Sequence, residues 1–235
     1  MADQSLGGSV AASASTDTEQ TRQWSGQFGR DYTDRNTFSL PELDELYRRN
    51  YGASRREIND RFLQAIPKEA RILEVGCNLG NQLLLLQAMG FTNLHGIEIQ
   101  SYALTRARER LPGVTLTQAS AFAIPYPDRF FDLVFTSGVL IHIAPNGLPL
   151  AMKEIYRCTR QWIWGFEYYA PEMTEIEYRG EATLLWKTDY ARLYLGQFPD
   201  LELVREERLR YLGNENVDTA FLLRKKAGSA TPEPR

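Results

Sequence analysis

A glycine-rich turn at residues 74–81, with the sequence Glu-Val-Gly-Cys-Asn-Leu-Gly-Asn, follows a short apolar segment and precedes a helical pattern. A buried strand, a glycine turn and a helix start form the usual position of a nucleotide-bearing cofactor. Glycine is needed there because a side chain would block the ligand and because the turn visits positive φ angles. A dinucleotide site would have glycines at 76, 78 and 81, but positions 78 and 81 are asparagines.

The same turn fits the methyltransferase pattern Glu-x-Gly-x-Gly-x-Gly at three of its four positions, Glu74, Gly76 and Gly80. Asn78 is the departure, and asparagine enters the left-handed region more readily than most residues. The carboxylate of Glu74 would repel a pyrophosphate, whereas it could position the ammonium group of S-adenosylmethionine. The turn therefore favours S-adenosylmethionine over a nicotinamide dinucleotide.

Two further segments extend this cofactor prediction. Glu98 ends the second predicted strand, where a carboxylate can accept hydrogen bonds from both ribose hydroxyls. Residues 119–125 follow the third predicted strand at the position of an adenine loop, with Ser120 where an acid is frequent and Phe122 able to pack on the ring. The predicted cofactor-binding residues are Glu74, Gly76, Cys77, Asn78, Gly80, Asn81, Glu98, Ile99, Ser120, Ala121, Phe122 and Ser137, with Tyr32 and Arg35 from an N-terminal lid.

Candidate catalytic residues follow the fourth and fifth predicted strands. When an oxygen or a protonated amine accepts a methyl group, a base must also take a proton. His142 is the first candidate, because its ordinary pKa lies near neutral pH. Glu167 and Tyr168 are the others. The alternatives stay open: a loop-bonding role for His142, an ion pair with Arg179 for Glu167, and a pocket wall for Tyr168.

Substrate-binding residues are predicted where the strand rhythm breaks, in an insertion at residues 170–187. Tyr169, Tyr178 and Arg179 are the candidates, and a guanidinium would suit a carboxylate or phosphate on the acceptor. On the other side, Arg35 could bind the carboxylate of the cofactor's methionine end. The acceptor is therefore expected to be a small molecule that carries an anionic group.

The elements that must position these residues alternate between strand and helix. Such alternation indicates a parallel sheet with right-handed crossovers, and the last two strands indicate an antiparallel hairpin at its edge. The predicted fold is α/β: a Rossmann-like, seven-stranded, mostly parallel sheet with helices on both faces. Strands are predicted at 70–76, 93–99, 114–119, 130–137, 161–169, 201–211 and 218–225, and helices at 41–52, 54–65, 80–90, 101–111, 148–159 and 188–198.

Composition indicates one domain, at residues 21–227, in which residues 21–66 form the helical lid segment. Residues 1–20 and 228–235 are small and polar, and we expect disordered tails. The net charge of −3 gives no basic field for nucleic acid or an anionic membrane. The two cysteines lack zinc spacing and suit a reducing compartment, no other cluster suggests a metal, and no secretion signal is evident. We therefore expect a cytoplasmic protein, of open oligomeric state.

The chain resembles class I methyltransferases and, more narrowly, the methylases associated with pseudaminic acid biosynthesis. The resemblance spans about residues 24–225 and rests on five segments: residues 24–36, the turn at 74–81, Gly-Val-Leu-Ile-His-Ile at 138–143, Glu-Tyr-Tyr at 167–169 and Tyr-Arg-Gly at 178–180. It implies methyl transfer to an oxygen or nitrogen of a sugar or nucleotide-linked amino sugar. A nucleic-acid substrate is disfavoured, because residues 136–139 lack the Asp/Asn-Pro-Pro-Tyr-type motif of base-amine methyltransferases.

Three other functions stay open at this point. The acceptor could be a small metabolite other than a sugar. The chain could bind S-adenosylmethionine without catalysis. It could also be an NAD-dependent oxidoreductase, which the asparagines at positions 78 and 81 disfavour.

Overall fold

A seven-stranded sheet organises the protein, whose computed structural model describes residues 18–178 and 183–226. The strands of the described residues are β1 Arg71–Val75, β2 Asn93–Glu98, β3 Thr115–Gln118, β4 Phe131–Ser137, β5 Thr159–Tyr168, β6 Thr174–Glu175, β7 Trp186–Lys187, β8 Leu201–Arg210 and β9 Val217–Lys225. The helices are α1 Glu19–Ser25, α2 Gln27–Arg35, α3 Leu40–Tyr51, α4 Arg55–Leu63, α5 Asn81–Ala88, α6 Ser101–Arg110, α7 Leu148–Cys158 and α8 Tyr190–Gln197.

The strand order in the main sheet is β3-β2-β1-β4-β5-β9-β8. Strands β1 to β5 are parallel, and β9 pairs antiparallel with both β5 and β8. The predicted seven-stranded sheet with a C-terminal antiparallel hairpin is therefore confirmed. Strands β6 and β7 form a separate short hairpin in the insertion between β5 and α8.

Each central strand contributes side chains to both faces of the sheet, as its continuous apolar run indicates. In β1, Ile72 packs into a core that includes Ile58, Phe62 and Leu104 of helices α4 and α6. Its neighbour Leu73 packs into the opposite core with residues of α7 and α8. Both faces are therefore covered by helices, and the parallel strands are buried between them.

Hydrogen-bonding caps begin the helices that precede β1. Ser54, the first residue of the predicted helix at 54–65, accepts a hydrogen bond from the backbone of Glu57, whose side chain accepts from the Ser54 N–H, so Ser54 is the N-cap of α4. Ser39 and Glu42 form the same arrangement at the start of α3. For α6, the N-cap is Gln100, and the helix begins at Ser101, as the predicted range 101–111 has it.

The N-terminal segment becomes regular earlier than its composition indicates. Helix α1 begins at Glu19, and the side chain of Thr18 caps it by accepting from the backbone N–H of Thr21 at 3.1 Å. The predicted tail boundary at residue 20 is therefore too late, because a cap and two helical residues precede it. Residues 1–17 and 228–235 of the predicted tails lie outside the described residues, and so does residue 227. No described helix is long and apolar enough to cross a bilayer.

Candidate functional site

A cavity of about 270 Å³ opens at the carboxyl ends of β1, β2 and β4. The strand order reverses between β1 and β4, and ligands of open α/β sheets bind at such a switch point. Helices α1, α2 and α3 also contribute residues to the cavity wall, among them Trp24, Tyr32 and Leu43. Twelve of the predicted cofactor-binding residues line it: Tyr32, Glu74, Gly76, Cys77, Asn78, Asn81, Glu98, Ile99, Ser120, Ala121, Phe122 and Ser137.

The structure places two predicted cofactor-binding residues elsewhere. Gly80 begins helix α5 with φ +69°, and a Cβ there would lie 2.2 Å from Leu111 Cδ1. It is needed for the turn and for packing on α6, not as part of the cavity wall. Arg35 is exposed at the end of α2 and does not line the cavity, which corrects its predicted contact with a carboxylate.

The turn after β1 exposes backbone to the cavity. Gly76 has φ +70°, and a Cβ there would lie 2.8 Å from Val139 Cγ2, so no larger residue fits without displacing β4's exit loop. Asn78 has φ +47°, as its predicted tolerance of the left-handed region requires. The backbone N–H groups of Gly76 and Cys77 donate to Ile97 O, at 2.8 and 2.9 Å, and tie the turn to β2.

Glu98 ends β2 inside the cavity and is only 8% exposed. Its two carboxylate oxygens accept backbone hydrogen bonds from Asn78 and Gln100, each at 2.9 Å. Burial raises the pKa of Glu98, while these amides favour its ionised form. Since each carboxylate oxygen has a further lone pair, Glu98 can still accept bonds from a ligand diol.

Glu74 presents a buried carboxylate at the cavity floor. One of its oxygens, Oε2, has no hydrogen-bond partner, and Oε1 of the neighbouring Gln82 is in the same condition. Burial raises the pKa of Glu74 well above its usual range, against the opposing effect of the Arg55 guanidinium. A bound cation would satisfy the free oxygen and favour the carboxylate. The two residues therefore fit an ammonium group.

His142 lies on the cavity wall, in the short helical turn Leu140–His142 after β4. Its Nδ1 lies 2.7 Å from Leu184 O, and because a carbonyl only accepts, Nδ1 carries the proton. In the neutral ring, Nε2 is then the basic nitrogen. Burial lowers the pKa of His142 to about 4, so the ring is neutral at pH 7. The ring of Trp24 covers it, with centroids 4.4 Å apart.

Glu167, predicted as a candidate base, supports a loop in this structure rather than facing the cavity. It is 1% exposed and does not line the cavity. Its carboxylate accepts backbone hydrogen bonds from Val139, at 3.0 and 3.2 Å, and from Ile141. It therefore fixes the loop that carries His142. Burial raises the pKa of Glu167 to about 7.

Tyr168 and Tyr169 also lie outside the cavity wall. The ring of Tyr168 packs near Tyr211, with Lys187 Nζ 5.1 Å from its centroid. The Arg208 guanidinium lies 3.5 Å from the centroid of Tyr169. Both tyrosines therefore pack against the β8–β9 hairpin and the insertion, and their catalytic and substrate-binding roles stay predictions.

The insertion contacts the site through other residues. The ring of Tyr178 lies 5.5 Å from that of His142 and 6.1 Å from that of Phe28, so it borders the covered side of the cavity. Leu184 supplies the carbonyl that orients His142. Arg179, the predicted anion-binding residue, lies outside the described residues.

Sequence reasoning missed Arg55, which is fully buried beneath the cavity. Its guanidinium donates to Tyr47 Oη at 3.0 Å and to Ser137 Oγ at 3.3 Å, and both acceptors line the cavity. It also packs over the ring of Phe166 at 4.1 Å. Its place as the first residue of helix α4 offers no signal of burial, since only tertiary packing brings its guanidinium against Ser137 of β4. Within residues 18–178 and 183–226, no cluster of His, Cys, Asp or Glu is arranged to hold a metal ion.

Comparison with known families supports a methyltransferase domain in this part of the chain. Residues 72–161 match the family model described as a methyltransferase domain. The match begins in β1, includes the turn, Glu98, the adenine-loop segment and His142, and ends in β5. It therefore covers the strands that form the cavity, and leaves out the lid helices and the C-terminal hairpin.

Individual relatives are similar over parts of their length. A malonyl-[acyl-carrier protein] O-methyltransferase of Halorhodospira halophila is 31% identical over 112 residues, which are 44% of this chain and 37% of that protein. The chain thus spans little more than a third of that curated relative.

Solved structures show the same fold at low identity. A 1,6-didemethyltoxoflavin-N1-methyltransferase of Burkholderia thailandensis, solved with S-adenosylhomocysteine, has a TM-score of 0.61 at 13% identity, over 73% of this chain and 77% of that one. The [4+2]-cyclase SpnF has a TM-score of 0.60 at 14% identity, over 81% and 97%. The cyclase shows that a shared fold does not by itself specify the reaction.

Proposed function

We propose that the protein is an S-adenosylmethionine-dependent methyltransferase that acts on an oxygen or nitrogen of a small molecule. One observation carries the proposal: a switch-point cavity brings together a glycine turn, a buried diol-accepting carboxylate at Glu98 and an unpaired acid oxygen at Glu74. The methyltransferase family match over the same strands supports it, as does S-adenosylhomocysteine in a protein of the same fold.

The residues of the cavity fit the parts of this cofactor in sequence along the sheet edge. Glu74 would hold the ammonium group, and Glu98 the ribose hydroxyls. Ile99 and Phe122 provide apolar walls for a flat base, next to Ser120, whose hydroxyl accepts the backbone N–H of Phe122 at 3.2 Å. Ser120 keeps its O–H and a second lone pair, so its hydroxyl and the backbone groups of this loop would bind the base together.

When bound, S-adenosylmethionine supplies a methyl group on a good leaving group, so the protein's task is alignment and exclusion of water. Trp24, Tyr32 and His142 form an aromatic wall on the lid side of the cavity. The Nε2 of His142 would accept a hydrogen bond from the acceptor's O–H or N–H and orient it. Its low pKa makes orientation its main contribution, because a base with a pKa near 4 binds a proton weakly at pH 7.

For the acceptor, we propose a sugar or a nucleotide-linked amino sugar, on the basis of the family resemblance. The charged side chains that line the described part of the cavity are Glu74 and Glu98, both acidic. An anionic group on the acceptor would therefore lie outside the described part of the cavity. We place the reaction in the cytoplasm and propose no nucleic-acid or membrane partner.

The test is calorimetric titration of the purified protein with S-adenosylhomocysteine, with NADH in parallel. We expect micromolar binding of S-adenosylhomocysteine and none of NADH. Clear binding of NADH without S-adenosylhomocysteine binding would overturn the proposal.

Turnover then distinguishes an enzyme from a binding protein. Radiolabelled S-adenosylmethionine would be offered to a panel of free sugars, nucleotide-linked sugars and their amino derivatives, and label in the product would be measured. Label transferred to a sugar supports the acceptor proposal. Cofactor binding without any transfer across the panel would contradict it and would favour a different acceptor or a non-catalytic protein.

A further inference from the structure

Four residues connect the cofactor turn to the lid helices through a ring of hydrogen bonds between their side chains and two of their backbone N–H groups. The ring runs from Glu98 to Asn78, then to Thr33 of α2, then to Gln100, and returns to Glu98. Thr33, Gln100 and Glu98 are 0%, 4% and 8% exposed. Buried bonds of this kind act together, because breaking one leaves its neighbours unpaired.

Asn78 makes a side-chain link to α2 that glycine, the residue the methyltransferase motif has at this position, cannot make. Its backbone N–H donates to Glu98 Oε2 at 2.9 Å, and its side-chain Nδ2 donates to Thr33 Oγ1 at 3.0 Å. Its Oδ1 accepts from the backbone N–H of Leu79 at 2.8 Å, which fixes the orientation of the amide. The φ of +47° suits glycine as well as asparagine, but glycine has no group to reach α2.

Gln100 makes the second link between Glu98 and the lid. Its backbone N–H donates to Glu98 Oε1 at 2.9 Å. Its side-chain Oε1 lies 3.2 Å from the Thr33 hydroxyl, whose single proton is shared between this oxygen and Gly29 O at 2.9 Å. Its Nε2 donates to Trp24 O at 2.9 Å and to Gly26 O at 3.2 Å, at the junction of α1 and α2. The same side chain therefore holds both lid helices.

Close contact between the lid helices requires glycine at position 29. A Cβ there would lie 1.9 Å from Trp24 O and 2.5 Å from Gln100 Nε2. The junction is thus built to bring α1 onto Gln100, and it sets the position of the Trp24 ring over His142. The ring of hydrogen bonds consequently joins the diol-accepting carboxylate to the wall of the acceptor side.

We propose that Asn78, Thr33 and Gln100 are positioning residues that couple ribose binding at Glu98 to closure of helices α1 and α2 over the cavity. The inference rests on the proposed function, which supplies the ribose diol. A diol bound to Glu98 restrains the carboxylate. Through it, the diol also restrains the backbone N–H groups of Asn78 and Gln100 that donate to this carboxylate. The lid then docks on an ordered surface, at a smaller loss of conformational entropy.

Two variants remove the ring without removing the turn or the helix. Asn78→Gly keeps a residue that tolerates positive φ, and Thr33→Val keeps the volume of the buried side chain. Thr37→Val is the matched control, because the exposed Thr37 hydroxyl donates to the backbone oxygen of Thr33 and accepts from Arg106, without touching the groups that form the ring. Thermal melting without ligand shows whether each variant is folded.

The first readout is the affinity for S-adenosylhomocysteine by calorimetry. We expect Asn78→Gly and Thr33→Val each to weaken binding by about fivefold, and Thr37→Val by less than about twofold. The double variant should be weaker than either single by less than about twofold, since both changes remove the same hydrogen bond. If the glycine only relaxed the turn, Asn78→Gly would bind as tightly as the wild type or more tightly, which would overturn the proposal.

The second readout is cleavage by chymotrypsin, whose sites Trp24, Phe28 and Tyr32 lie in the lid helices. Saturating S-adenosylhomocysteine should slow lid cleavage in the wild type, and this protection should fall at least about threefold in Asn78→Gly and Thr33→Val. Equal protection in all variants would overturn the coupling. If the wild type does not bind S-adenosylhomocysteine, the proposed function is overturned instead. In that case, equal lid cleavage of the wild type and the two variants without ligand would overturn the role of the ring.

Discussion

The cofactor side and the acceptor side of the cavity are built on different principles. On the cofactor side, backbone turns after β1, β2 and β3 form the wall, and most of the predicted residues line it. On the acceptor side, the wall comes from the loop after β4, the lid and the insertion, and predicted strand-end residues such as Glu167 point elsewhere. A turn carries its side chains to the cavity by local geometry, whereas a strand end can direct them to either face.

The same difference separates side chains that contact a ligand from side chains that support them. Glu98 has spare lone pairs inside the cavity, while Glu167 directs its carboxylate to the backbone of the His142 loop. Both acids are buried and both have a raised pKa. A perturbed pKa at a strand end is therefore not enough to identify a base, because support of a loop perturbs it as well.

The largest expected effect is the loss of the cofactor-side carboxylate. Glu98→Ala should weaken binding of S-adenosylhomocysteine by on the order of 1000-fold, because two charge-assisted hydrogen bonds to the ribose are lost. Calorimetry measures it, with Arg35→Ala as the control that keeps wild-type affinity. Near-wild-type binding by a folded Glu98→Ala would contradict the cofactor assignment.

Glu167, the acid that supports the His142 loop, should contribute to the pH dependence of the free energy of unfolding. The pKa of Glu167 is raised from 4.5 to about 7 by burial, so its carboxyl ionises in the unfolded chain first as pH rises. The unfolded state is favoured across that window, and the free energy of unfolding should fall by about 3 kcal/mol between about pH 4.5 and 7. Denaturant titrations should show this fall reduced in Glu167→Gln, and parallel pH profiles in the two proteins would contradict it.

Loss of the His142 Nε2 nitrogen should lower the rate of turnover without changing the affinity for the cofactor. Asparagine at position 142 can still donate to Leu184 O through Nδ2 but has no nitrogen in place of Nε2. Once an acceptor is found, His142→Asn should lower kcat by about 100-fold and leave the affinity for S-adenosylhomocysteine within about twofold. An equal loss in cofactor affinity would show that His142 only positions the lid.

The smallest effect is expected at the strand end that packs on the hairpin. Tyr168→Phe keeps the ring beside Lys187 and removes only the hydroxyl, so kcat and cofactor affinity should both stay within about twofold of wild type. Steady-state kinetics across the acceptor panel checks this. A large loss of kcat would return Tyr168 to the acceptor site and would remove the distinction between the two sides.

The sequence predicted the seven strands of the main sheet and the crossover helices, with boundaries within about two residues for most of them. Apolar runs and glycine or serine stops are local signals, and they coincide with local hydrogen bonding at caps such as Ser54. The sequence does not indicate the start of α1, because its first residues are polar and have the same composition as the sequence before them. The contact between Trp24 and His142 joins residues more than a hundred positions apart, and no spacing indicates it.

What the sequence by itself determined is the fold class and the turn that forms the cofactor side, since both follow from periodicity and from the backbone freedom of a few residues. Only the tertiary structure decided which side chains face the cavity. It turned Glu167 to a loop, buried Arg55 beneath β4 and closed a ring of hydrogen bonds around Asn78. The physical reason is that burial and hydrogen-bond pairing depend on partners distant in the chain, and these partners determine where each polar group is satisfied.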